Sequence, residues 1–237
     1  MHRKSVNRMT TYSIAAAAYR TNPRRGFKLM QQAASEGSAQ ALDWLGSAFF
    51  YGWGTKRSFV RAFEHYLKGA EAGVPGSQYN LALCYLEGSG TKRDYKCAVR
   101  WFRTAARAKV AEALHWLAYC HKHGYGVQRN LKKSFGLALS AAKAGVTDAA
   151  LLLGIAFDHG EGIEANAKEA FRWYLAAARK GILAAQYNIG LCYLSGEGTR
   201  ASRRNAIKWL TRSAKGGYSK AKRELQKLSA TQSRLTA

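Results

Sequence analysis

A five-residue pattern recurs at a fixed interval of 36 residues: YGWGT at 51–55, EGSGT at 87–91, HGYGV at 123–127, HGEGI at 159–163 and SGEGT at 195–199. The stretches 38–73, 74–109, 110–145, 146–181 and 182–217 therefore align without a gap. One Gly-x-Gly says little, and a phosphate-cradling loop is needed only once. Five at constant spacing must come from architecture. No helix start follows the glycines directly, as a phosphate loop requires.

Each unit reads as helix, turn, helix. Four residues after the second glycine stand Ser58, Asp94, Asn130, Asn166 and Ser202. All are N-cap types, whose side-chain oxygen takes an orphan backbone N–H. The helix that follows stops at Gly73, Lys109, Gly145, Gly181 and Gly217. Four of these are the glycine expected just past a helix end. The first helix carries a small column (Ala41, Ser77, Ala113, Ala149, Ala185) and, four residues on, a large apolar one (Leu45, Leu81, Leu117, Leu153, Ile189). Beside it lies a second small column, Gly46, Ala82, Ala118, Gly154 and Gly190. Spacings of three and four mark one face of an α-helix. The glycines are expected to accept φ > 0 and turn the chain between antiparallel helices.

The ends extend the pattern. Asn22-Pro23 falls in the cap column with Pro at the first helical position. The chain divides into a degenerate N-terminal cap or leader at 1–23, a repeat array at 24–229 and a tail at 230–237. The leader is basic, acid-free and rich in Ser and Thr, which also fits an organelle transit peptide. Residues 218–229 begin a sixth first helix made polar by Lys222, Arg223 and Lys227, as a terminal repeat requires.

A 36-residue unit of this kind resembles the Sel-1-like repeat, a relative of the tetratricopeptide repeat. AQYNIGLCYLSGEGT at 185–199 and NAIKWLTRSAKGG at 205–217 carry the likeness. The resemblance implies an all-α fold: a right-handed α-solenoid of five full units plus degenerate caps, with first helices lining a concave surface. It also implies non-enzymatic adaptor work, including toxin-neutralising or effector roles, and no catalytic residues or cofactor.

Charge narrows the partner. The net charge is +24, which no fold requires and which points to an anionic partner. It is not evenly spread. The five first helices carry one base, Lys122, and five acids: Asp43, Glu87, Glu112, Asp148 and Asp158. The turns and second helices of the same five units carry 25 basic residues and seven acids. The first helices thus offer a groove of apolar columns with Leu83, Tyr119, Ile155, Leu191, Leu86 and Leu194 expected at its surface, a seat for a peptide or helix. Packing against neighbouring repeats is the other reading of these residues. A basic outer face would comprise Arg93, Arg100, Arg103, Arg107, Lys132, Lys133, Arg203 and Arg204. A protein partner, acidic or with an apolar segment, leads. Nucleic acid bound through the basic face is the alternative, without any base-reading motif to support it.

Cys84, Cys120 and Cys192 share one small-residue column and read as core thiols. Column neighbours sit one repeat apart, too far for a disulfide. Cys97 falls on a solvent-facing column. Free thiols suit a reducing, cytoplasmic compartment, with organelle targeting by the basic N-terminus as the alternative. Among His115, Cys120, His121, His123 and His159, the first and third are six apart and do not share a helix face, while His123 and His159 share a column beside the turn; the set predicts no metal site. The aromatic columns (Trp101, Trp173, Trp209; Tyr66, Phe102, Tyr174) read as core. No apolar run is long enough to span a membrane.

Overall fold

The computed structural model describes the backbone of residues 10–235 and side chains through 230. Among the described residues there are thirteen helices and no strand. They are α1 (Thr11–Thr21), α2 (Pro23–Ser35), α3 (Ala39–Tyr51), α4 (Phe59–Glu71), α5 (Pro75–Glu87), α6 (Tyr95–Arg107) and α7 (Ala111–His123). Then come α8 (Leu131–Lys143), α9 (Thr147–His159), α10 (Ala167–Arg179), α11 (Leu183–Ser195), α12 (Arg203–Lys215) and α13 (Ser219–Leu235). The fold is an α-solenoid of helix–turn–helix repeats. Residues 1–9 and 236–237, parts of the expected leader and tail, lie outside the described residues. The final helix continues past residue 230, where the sequence suggested a tail.

The caps form as the residue types dictate. Asn22, Ser58, Asp94, Asn130, Asn166 and Ser202 each accept the N–H three residues on. Each cap N–H from Ser58 onward donates at 2.8 Å to a first-helix carbonyl: Phe49, Tyr85, His121, Phe157 and Tyr193 in turn. That bond closes the turn. Lys109, in the column that otherwise holds glycine, adopts the same left-handed backbone at φ 66°.

The second glycine of each turn has a role that φ alone does not explain. At Gly90 the backbone lies directly on the Phe59 carbonyl, where a Cβ would overlap it. Phe59 opens α4, the second helix of the preceding unit. The same approach recurs at Gly54, Gly126, Gly162 and Gly198, each onto the first residue of the preceding second helix. These glycines therefore do more than reverse the chain. They let each turn settle on the unit before it.

The described residues divide into two compact units, 10–113 with 125–127 and 114–124 with 128–235. The first is built round Phe27, Met30, Leu45, Phe49, Tyr66 and Leu81, with Trp44, Phe63 and Trp101 packed against them. The second is built round Tyr174, Ala177, Ile189 and Cys192, with Leu153, Ala118 and Ala138 in an adjoining cluster. Edge-to-face ring pairs join successive repeats within each unit. Phe27 meets Phe49 and Phe63 meets Tyr85, at 5.3 and 5.4 Å. Phe135 meets Phe157 and Phe171 meets Tyr193, at the same two distances. Such geometry adds about 0.5–1.5 kcal/mol per pair beyond burial.

Candidate interaction surfaces

The second helices are sharply two-sided. On α6, Ala98, Val99, Phe102 and Ala105 are buried, while Arg100, Arg103 and Arg107 stand exposed with Lys96. Their spacing of four, three and four lays them along one outward stripe. Arg93 is exposed beside it, its guanidinium 5.9 Å from the Tyr95 ring. In the second unit Lys132 and Lys133 on α8, and Arg203 and Arg204 on α12, are exposed as well. Arg203 also donates to the Leu228 carbonyl at 2.9 Å.

The first helices present a different surface. In the first unit Leu83 is half-buried, but Leu86 is only 8% exposed and belongs to the core rather than to an open face. Its column turns inward at this repeat. In the second unit Tyr119, Ile155, Leu191 and Leu194 are all half-buried. Two first-helix charges, those of Asp43 and Lys122, are partly buried and bonded within the fold. Asp43 accepts from Ser77 at 3.0 Å and Asn80 at 3.1 Å. Burial still raises its carboxyl above the usual range, with those hydrogen bonds opposing. Lys122 pairs with Glu161 at 2.5 Å, and the Tyr174 hydroxyl donates to Asp158 at 3.1 Å. Glu87, Glu112, Asp148 and Asp158 are exposed.

Cys84, Cys120 and Cys192 are buried and Cys97 is half-buried, and all four are free. Burial pushes the Cys84 thiol up to about 12 and those of Cys120 and Cys192 up to about 11. The Asp94 hydrogen bond, then burial, raises Cys97 too. The thiolate is the reactive form, so the native protein should react slowly with thiol reagents, at Cys97 first. Denatured without reductant, it should yield four thiols. Two or fewer would show that cysteines pair. Among the described residues no three His, Cys, Asp or Glu side chains cluster as metal ligands, and no helix is long and apolar enough to cross a membrane.

One surface departs from the repeat columns. Tyr51, at 60% exposure, and Trp53, Phe59 and Val60 are large apolar side chains open to solvent in the first unit. The signal lay in their departure from the column. Other repeats have Glu87, His123, His159 or Ser195 in place of Tyr51.

The Sel1 repeat pattern matches six segments: 17–38, 39–74, 75–110, 111–146, 147–182 and 183–218. The chain belongs to the Sel1 repeat family. Its six matched repeats coincide with the helix pairs above, the first being partial. A Sel1 repeat protein from Oxalobacter formigenes is similar in structure, with TM-score 0.83 and 27% identity, over 90% of this chain and 85% of that one. A protective antigen of uropathogenic Escherichia coli displaying an SLR fold gives 0.76 and 24%. There this chain is covered to 89% and spans 46% of the antigen. An immunity protein from Pseudomonas aeruginosa shares the fold at TM-score 0.56 and 17% identity, over 85% of this chain and 81% of its own.

Proposed function

We propose that this Sel1 repeat protein is a non-enzymatic scaffold that binds a protein partner through the first-helix faces of its repeats. The carrying observation is the separation of charge from apolar surface. Leu83 in the first unit, and Tyr119, Ile155, Leu191 and Leu194 in the second, are half-buried on helices whose charges are few and partly internally paired. The exposed bases lie on the second helices and turns, where they would attract an acidic surface. An immunity-type role, the description borne by the Pseudomonas neighbour, is one form of such scaffolding.

One observation favours a second reading. All eight of the basic residues singled out from the sequence are exposed, which suits phosphate contacts on nucleic acid. Two triple variants separate the readings. Replacing Leu83, Tyr119 and Leu191 with Ser should abolish capture of the native partner while circular dichroism stays helical. Neutralising Arg100, Arg103 and Arg107 should leave capture largely intact. Capture that survives the first triple and is lost with the second, along with a flatter salt dependence, would replace the scaffold reading with the basic-face one.

A further inference from the structure

In the first unit the exposed rings are joined. Trp44 meets Tyr19 edge-on at 4.9 Å, and Tyr19 lies 6.0 Å from Trp53. Trp53 stacks on Tyr51 at 4.7 Å, and Phe50 turns its edge between Tyr51 and Phe59, 5.0 Å from each. The Arg57 guanidinium ends the series 5.3 Å from the Phe59 ring. Six rings and an arginine thus form one strip, open at Tyr51, Trp53 and Phe59. An apolar patch of this kind on a soluble chain marks a contact surface, and Trp, Tyr and Arg are the residues that dominate binding energy where they meet a partner.

The surroundings state the partner's charge. Residues 10–35 and 44–63, which supply every part of the strip, contain no acid. They carry Arg20, Arg24, Arg25, Lys28, Lys56, Arg57 and Arg61, all exposed. An open cleft of about 650 Å³ lies alongside, lined by Asn22, Arg24, Gly54, Thr55 and Lys56 among others. A second copy of a chain with net charge +24 would be repelled here. The ring arrangement favours side chains over bases. Tyr51 and Trp53 already cover one face of each other, at an interplanar angle of 22°, instead of standing apart as platforms for successive bases.

We propose that the strip from Trp53 through Tyr51 to Phe59 and Arg57 is a docking site for an acidic protein segment bearing apolar side chains. The segment's apolar residues pack on the rings, and its carboxylates face Arg57, Lys56 and Arg24. This inference rests on the scaffold reading and assigns a second seat, at the end of α3 and the turn after it, apart from Leu83, Tyr119, Ile155, Leu191 and Leu194.

The test places a benzophenone amino acid at position 51 of the full chain, irradiates the native cells, and sequences the cross-linked peptide. The expected adduct is one protein segment of net negative charge with apolar residues. A synthetic copy of it should bind the wild type, with affinity falling at least about tenfold for Arg57→Glu and for Tyr51→Ser. The Leu83, Tyr119 and Leu191 triple should bind it as the wild type does. Adducts to nucleic acid, to a second copy or to a neutral or basic segment would overturn the proposal, as would no adduct or a peptide insensitive to Arg57→Glu. If the first-helix triple still abolishes partner capture in that event, the scaffold reading survives and only this site falls.

Discussion

Gly90→Ala is expected to lower stability by about 2–5 kcal/mol, more than the same change at Gly73. Both residues hold positive φ, 76° and 83°. A left-handed backbone with a Cβ costs about 1–2 kcal/mol. At Gly73 that is the whole cost, because nothing lies within 4 Å of the added atom. At Gly90 the Cβ would overlap the carbonyl carbon and oxygen of Phe59 and crowd the Val60 nitrogen. These are backbone atoms at the start of a helix and cannot rotate away, so the turn must lift off the preceding repeat. Forced overpacking adds about 1–3 kcal/mol. Chemical denaturation of both variants reads the difference. Equal losses would mean that φ alone matters and that the turn does not bear on the preceding helix.

The same pair of glycines shows how far the sequence could be read. The 36-residue period, the cap column from Ser58 to Ser202 and the left-handed stops at Gly73, Gly145, Gly181 and Gly217 follow from local chemistry, and each forms. The contact of Gly90 with Phe59 joins residues 31 apart. Its sequence trace, an invariant glycine, is the same one that a simple turn would leave. The candidate surfaces were read less fully. Alignment by column finds what repeats share, so it located the half-buried Leu83, Tyr119, Ile155 and Leu191. It assigned Leu86 to the same open face, although that residue packs inward. It passed over Tyr51 and Trp53 because they are unlike their column mates, and their stacking on each other depends on the path of one turn.

Tyr174→Ala should cost about 3–5 kcal/mol, the range for truncating a large buried aromatic. Tyr174 is 1% exposed, and its ring lies across Gly154 on the facing helix. Three of the five repeats set a glycine against a large side chain, whereas the repeat 74–109 carries Ala82 with Phe102. Gly46 faces Tyr66, Gly154 faces Tyr174 and Gly190 faces Leu210, each leaving no room for a Cβ. One unit has both positions small, Ala118 and Ala138. Gly154→Ala should therefore destabilise the fold even though alanine favours an α-helix over glycine by about 1 kcal/mol. The Tyr174 ring would be pushed aside and its 3.1 Å hydrogen bond to Asp158 strained. In the double variant the alanine methyl enters space the ring has left, so its cost should vanish or change sign. The coupling expected between contacting residues is about 0.5–3 kcal/mol. Denaturant unfolding of the two single variants and the double variant measures it. Additive losses would show that the small column beside Leu45, Leu81 and Leu153 is not set by the ring it faces.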